Sequence, residues 1–173
     1  NMPSTFEFIV NHPNQAPQLM FKCKLQCVRC EGQTVRNTRC KRNVCIGTPY
    51  CVTHLKKEKH LMIADSEIQG AGKGLFAYDP EDPGGNQIVF KKGQVIVHYD
   101  GEIIDNNDLG ERYGEWTAPY GLQEKYQGIY YTEDGACRRG IGTLANHKPV
   151  SRANARLSFG TGKKRFQIKA NAN

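Results

Sequence analysis

Six of the seven cysteines of this chain, Cys23, Cys27, Cys30, Cys40, Cys45 and Cys51, fall in one short segment, and only Cys137 lies beyond it. The stretch Gln33-Thr34-Val35-Arg36-Asn37-Thr38-Arg39-Cys40-Lys41-Arg42 between them is polar and almost without large apolar side chains. Such a segment cannot build a core of its own and needs a covalent or metal staple. A disulfide framework suits a secreted chain, yet no charged n-region followed by an apolar run opens this sequence. The cluster instead ends in Cys51-Val52-Thr53-His54, a C-x2-H spacing that puts two zinc ligands on one turn. Metal is therefore the better reading, with Cys30, Cys40, Cys51 and His54 as ligands and Cys45 as the substitute for one of them. Cys23 and Cys27 stay open between a second ion and free thiols. The zinc would be structural, its binding coupled to folding of the module.

Charge follows the same division. The formal net charge is +7, but residues 1–64 hold ten Lys and Arg against three acids, whereas residues 65–173 hold fourteen of each. Basic side chains that neutralise phosphates release condensed counterions, so a localised cationic module suits contact with DNA or a nucleosome as well as it suits a solvated face. No apolar run approaches the ~20 residues needed to cross a bilayer, and a membrane partner is not expected.

Beyond His60 the texture changes to short β-like runs separated by Gly, Pro, Asn and Asp. The expected strands are Leu61–Ala64, Gly74–Ala77, Gln94–Tyr99, Gly128–Tyr131, Ala155–Phe159 and Arg165–Ile168. Helical periodicity is visible only around Asp105–Tyr113. The fold class is thus mostly β, built from several small sheets and preceded by a small zinc-stapled module; a doubly wound nucleotide fold is excluded. The sequence divides into an arm (1–21, extended around Phe6–Val10 and then a loop through His12–Pro17), a Cys/His zinc module (22–58) and a β domain (59–173).

Three blocks in the β domain carry chemistry in this order: Gly72-Lys73-Gly74-Leu75-Phe76-Ala77, then Tyr99-Asp100-Gly101-Glu102, then Asn146-His147 followed by Asn154-Ala155. The glycine block has neither the Lys-Ser nor Lys-Thr of a P-loop nor the setting of a dinucleotide fingerprint. Read alone it is a tight turn, Tyr99 a strand-end tyrosine and His147 a structural histidine.

Read together, the blocks resemble the SET domain of protein-lysine methyltransferases, over roughly Leu61 to Asn173. The segment from Cys30 to Leu55, with CIGTPYCVTHL, is similar to short Cys/His zinc modules of large DNA viruses. The resemblance implies S-adenosylmethionine as cofactor, held at Lys73, Gly74 and Leu75 through the backbone, and at Asn146 and His147. It implies Tyr99 as the catalytic residue, lining a channel for the substrate lysine. Tyr113, and the aromatics of Trp116–Gly121, fall in the family's variable insert, where Tyr113 would touch the cofactor. The implied partner is a protein substrate, a histone tail first, and the implied location is a host nucleus or virion. The family pattern Asn-His-Ser reads Asn146-His147-Lys148 here. Arg165–Asn173 is expected to be the strand before the family's last motif, whose tyrosine does not occur in the sequence, so the domain would be missing its C-terminal end. The alternative is therefore a zinc-dependent nucleic-acid or chromatin-binding protein with an inactive SET-like domain.

Overall fold

Short strands bury little area each, so a chain of this kind must hold several small sheets together through the contacts between them. The structure, a computed structural model, describes residues 4–10, 18–25, 27–45, 48–115, 118, 120–147, 149–159 and 166–171, with the backbone alone at 4–10, 18–25 and 150. The expected loop through His12–Pro17, the Cys23 side chain, Trp116, Thr117, Pro119, Lys148, Arg165 and the last two residues lie outside these.

The described residues form twelve strands and two α-helices. The N-terminal strand β1 (Ser4–Val10) pairs antiparallel with β2 (Gln18–Leu25), and β3 (Val28–Arg29) with β4 (Asn43–Val44). Helix α1 (Val52–Lys59) leads into β5 (Leu61–Asp65), which pairs with β6 (Lys73–Ala77). Strand β7 (Val95–His98) is followed by β8 (Glu102–Asp105), α2 (Asn106–Tyr113), β9 (Gly121–Tyr126) and β10 (Ile129–Asp134). After 3-10 turns at Ile141–Leu144 and Val150–Arg152 come β11 (Ala155–Phe159) and β12 (Phe166–Ala170). Two three-stranded sheets result, with orders β8-β10-β9 and β11-β12-β7. The mostly β architecture of small sheets is the one expected. The strands not foreseen, β2, β3, β4, β8 and β9, are polar, flanked by charge or only two residues long; β9, for example, reads Gly-Leu-Gln-Glu-Lys-Tyr. They exist because their neighbours supply pairing partners, a tertiary effect on weak local preference.

Helix α1 was also unforeseen. It presents only His54 and Leu55 to the interior, too few for a periodic pattern, while Lys56, Lys57 and Lys59 in its last turn complement the helix dipole. Leu55 packs with Leu61 and Ile141, and Ile63, Leu75, Ile96 and Val97 close around them. Burying the Leu55 side chain contributes roughly 2 kcal/mol. It fastens the cysteine module to three elements of the β domain. Helix α2 starts at Asp105, whose carboxylate accepts the Asp108 N–H at 2.9 Å.

The sheets are joined by carboxylates at the end of β10. Glu133 and Asp134 are both buried. Glu133 accepts the Gly101 N–H through Oε1 at 3.1 Å and the Phe166 N–H through Oε2 at 3.2 Å, tying β10 to the segment after β7 and to the start of β12. Asp134 accepts the Tyr113 hydroxyl at 2.8 Å, Arg112 Nη1 at 3.1 Å and the Ala136 N–H at 3.0 Å. The other arm of the Arg112 guanidinium reaches Glu102 at 2.8 Å. Removing Asp134 strands a guanidinium and a phenol in the interior, so Asp134→Ala is expected to cost about 3 kcal/mol or more in urea unfolding. Asp65→Ala, which removes the exposed carboxylate paired with Lys73, is expected to leave the unfolding midpoint unchanged.

Candidate functional sites

The cysteine module brings four soft donors to one point. Cys30, Cys40, Cys51 and His54 are buried, and their ligand atoms all lie within 4.8 Å of one another. Cys30 Sγ and Cys51 Sγ stand 3.4 and 3.3 Å from His54 Nδ1. Ligands about 2.3 Å (sulfur) and 2.0 Å (nitrogen) from a tetrahedral zinc would be separated by about 3.5 Å. The donor set and its spacing therefore fit zinc.

Local backbone explains how donors 24 residues apart meet. Cys30 leaves β3, the chain turns at Thr34–Thr38 and returns to Cys40, and the Cys40 N–H donates to the Gly32 carbonyl at 2.8 Å. Cys51 is the N-cap of α1, and His54 lies one turn in. The His54 Nε2 faces the Gln33 carbonyl at 2.8 Å, so its N–H belongs there and Nδ1 is left with a lone pair toward the cysteines. The Gly32 and Cys51 N–H groups donate to Cys30 Sγ at 3.3 and 3.2 Å. Gly32 is required by close approach: a Cβ there would sit 2.2 Å from His54 Cγ.

Cys45 is not part of this cluster, which corrects its place as a substitute ligand. It is disulfide-bonded to Cys27, across the pair β3–β4, and Cys27 is likewise neither a free thiol nor a second metal ligand in this structure. Adjacent antiparallel strands bring these two side chains within bonding reach. Neither the 18-residue separation nor the spacing pattern reveals that pairing.

Burial opposes ionisation of the Cys51 thiol, but hydrogen bonds with the His54 backbone and ring, then Cys30, outweigh it and bring the thiol down to about 6. Contact with Cys51 in turn raises the His54 imidazole above its ordinary range, against the effect of burial. The Cys51 contribution to folding is present above the ordinary thiol range and is lost as pH falls through about 6. The His54 contribution runs the other way, complete below the ordinary imidazole value and lost as pH rises through the elevated one.

The second site lies where β6 begins. Asn146 Nδ2 donates to Ser66 Oγ at 2.7 Å and to the Lys73 carbonyl at 3.4 Å, spanning 80 and 73 residues of sequence. A Cβ on Gly74 would come within 3.0 Å of that same nitrogen. The first and third sequence blocks thus converge. Leu75 turns its side chain into the Leu55–Leu61–Ile141 core, leaving backbone on the Asn146 side, and Lys73 pairs with Asp65 at 2.5 Å. His147 and Asn154 are exposed.

Tyr99 is buried, and its hydroxyl donates to the Tyr120 carbonyl at 2.6 Å. Burial first, then the Asp134 and Glu133 carboxylates, push its phenol far above the ordinary range, so Tyr99 stays protonated and acts as a hydrogen-bond donor. The Arg139 guanidinium lies over the Tyr120 ring at 4.3 Å. The segment beginning at Gly140 crosses directly beneath Tyr99: a Cβ on Gly140 would be 2.1 Å from the Tyr99 carbonyl oxygen, and one on Gly142 would be 2.7 Å from that of His98. Sequence reasoning missed these two glycines, although their spacing in Arg139-Gly140-Ile141-Gly142 signals a close backbone passage. It also missed Glu133 and Asp134, which read as an acidic turn.

Tyr113 is not positioned to touch a cofactor. It is fully buried, its hydroxyl is given to Asp134, and burial followed by that contact raises its phenol far above the ordinary range. It is a packing residue at the end of α2.

No family model matches the chain, and no curated protein matches it. Among solved structures it is similar to ctPRC2 in an autoinhibited conformation bound to S-adenosylmethionine, with a TM-score of 0.47 and 18% identity over 66% of this chain and 14% of that one. It is also similar to CpSET8 from Cryptosporidium, with a TM-score of 0.47 and 17% identity over 72% of this chain and 56% of that one. The chain thus spans less than two thirds of the length of either structure.

Metal analysis of the purified protein is expected to find zinc at one ion per chain, and Gly32→Ala or Cys40→Ser to remove most of it. With a colorimetric chelator as competitor, zinc is expected to be held at neutral pH and progressively more weakly as pH falls, because protons compete with the metal for the cysteine thiolates. Unchanged zinc content in Cys40→Ser would contradict the assignment of the cluster.

Proposed function

We propose that this chain is an S-adenosylmethionine-dependent protein-lysine N-methyltransferase whose substrate class is histone tails. The observation that carries the reading is the convergence of Asn146 with Lys73 and Gly74, blocks separated by 73 residues, at the place where the sequence resemblance implies the cofactor. The residues there fit such a ligand. Gly74 is buried, and the place its side chain would take is filled by the Asn146 amide and the Phe76 ring, so the glycine lets Asn146 seat against this backbone. Asn146 uses its amide N–H groups on Ser66 and Lys73, and among the described residues its Oδ1 accepts no hydrogen bond, which leaves an acceptor for an adenine or amino group.

The cofactor would supply a methyl group on a sulfonium. The chain's own residues would bind, orient and desolvate the amine that receives it. A lysine must arrive as a neutral amine, and withdrawal from water lowers its pKa in the required direction. Tyr99 suits the wall of such a passage: its ring is buried, its hydroxyl is fixed on the Tyr120 carbonyl, and it holds its own proton. It would therefore position the amine without acting as a base. Orientation and desolvation would carry the rate enhancement, with no metal at the reacting atoms. The zinc cluster would be structural. By the same resemblance to modules of large DNA viruses, a host nucleus or virion would be the place of action.

The test is calorimetric titration with S-adenosylhomocysteine, followed by transfer of labelled methyl groups from S-adenosylmethionine to histone H3 and H4 tail peptides. Saturable binding is expected, with Asn146→Ala weakening it at least tenfold, roughly the loss of one or two hydrogen bonds to a ligand. Tyr99→Phe is expected to keep that affinity and lower the rate of transfer. Folded, zinc-loaded protein that shows no heat of binding would end the methyltransferase reading.

A further inference from the structure

We propose that the exposed basic ribbon of the cysteine module, residues 28–42, docks on duplex DNA, a surface separate from the Gly74–Asn146 site and independent of methyl transfer. Arg29, Arg36, Arg39, Lys41 and Arg42 are exposed, against a single acid, Glu31. Among the described residues no salt bridge engages any of the five. Cations that are neither paired nor buried leave their charge available to an anionic partner.

Three of these side chains are held in place, Arg42 by donating through Nη1 to the Thr53 hydroxyl at 2.8 Å. Arg29 donates through Nε to the Cys40 carbonyl at 2.8 Å and through Nη2 to the Arg39 carbonyl at 3.1 Å. Arg39 reciprocates, with Nε on the Cys30 carbonyl and Nη2 on the Arg29 carbonyl, both at 3.1 Å. Each of these last two guanidinium groups spends two of its five N–H donors on backbone and keeps the rest. The acceptors include the carbonyls of Cys30 and Cys40, so these two arginines are fixed to the backbone of two cluster cysteines. Their rotamer entropy is lost on folding rather than on binding, and a planar fork held this way suits phosphate oxygens.

The tip of the ribbon points to a groove rather than a flat surface. Gln33 and Arg39 form a β-bridge, the Thr34 N–H donates to the Thr38 carbonyl at 2.9 Å, and the Thr34 and Thr38 hydroxyls stand 2.8 Å apart. This braced turn carries Val35 with a relative exposure of 103% and Arg36 beside it. A fully exposed apolar side chain next to a guanidinium matches a thymine methyl next to a guanine edge or phosphate. A two-stranded ribbon enters the major groove of B-form DNA, whereas the deep, narrow major groove of A-form RNA excludes it. One valine is too little apolar surface for a lipid headgroup layer.

The experiment is fluorescence anisotropy of the full zinc-loaded chain with a labelled DNA duplex of about 20 base pairs, over a series of NaCl concentrations, where four or five phosphate contacts give a slope of log K against log salt of about −3.6 to −4.5. An RNA duplex of the same sequence and polyglutamate serve as the other probes. Saturable, salt-sensitive binding that favours DNA is expected. Arg36→Ala with Lys41→Ala, neither of which contacts the cysteine cluster through its side chain, is expected to weaken it at least tenfold with unchanged zinc content, and to lower the slope by about two. Lys125→Ala, on β9, is expected to bind as the parent. Binding of RNA or polyglutamate as tight as that of DNA would overturn the proposal. So would a double variant that retains zinc and full affinity, or a loss in Lys125→Ala equal to that in the double variant. Should the double variant lose zinc, Arg36→Ala alone, at the exposed tip, decides by the same criteria.

Discussion

Everything in the β domain depends on the two buried carboxylates that end β10. Burying ionised groups is costly, and the chain offsets that cost by surrounding them with donors from every direction: backbone N–H groups of Gly101, Ala136 and Phe166, the Tyr113 hydroxyl and the Arg112 guanidinium. Those donors come from the segment after β7, from α2, from the turn after β10 and from β12. Sheets of two and three strands have little apolar area with which to find one another. A satisfied polar hub gives them a defined mutual geometry that a patch of leucines would not specify.

The cysteine module meets the same shortage differently. Among the described residues, the buried apolar side chains around the cluster are few, Val44 with Tyr50 against it, packed with Cys30, Cys40 and Cys51. Where hydrophobic area is this small, ligand bonds to a metal replace it as the source of folding free energy. The disulfide between Cys27 and Cys45 closes the strand pair beside it. A disulfide and a candidate metal cluster thus divide the described cysteines of one short segment, and the sequence shows their density without showing the division.

What could be read in advance followed from local chemistry. The strands β5, β6, β7, β11 and β12 announce themselves through apolar alternation between turn residues, and the ligand role of Cys51 and His54 through a spacing that one helical turn enforces. The convergence of Gly74 and Asn146 was legible only as a resemblance, because nothing local relates residues so far apart. The burial of Tyr113, Glu133 and Asp134 is hidden from the sequence for a related reason. A tyrosine in an insert and an acidic pair at a strand end look solvent-facing until the partners that bury them, Arg112 and the crossing near Gly101, are brought in from elsewhere.

The two candidate sites are physically linked, although they lie in different modules. His54 belongs to the cysteine cluster, and the next residue, Leu55, is the apolar anchor of α1 against Leu61 and Ile141. Ile141 opens the 3-10 turn that crosses beneath Tyr99 and then runs through Ala145 to Asn146; Leu61 opens the strand paired with β6, where Lys73 and Gly74 lie. A helix this short is unstable without tertiary support, and its N-cap Cys51 and first-turn His54 are themselves members of the cluster. Loss of the metal would therefore release α1, withdraw Leu55, and loosen both elements whose meeting forms the Asn146–Gly74 contact. A metal bound at the cluster would thus also set the stiffness of a site it does not touch, through a continuous chain of packed side chains.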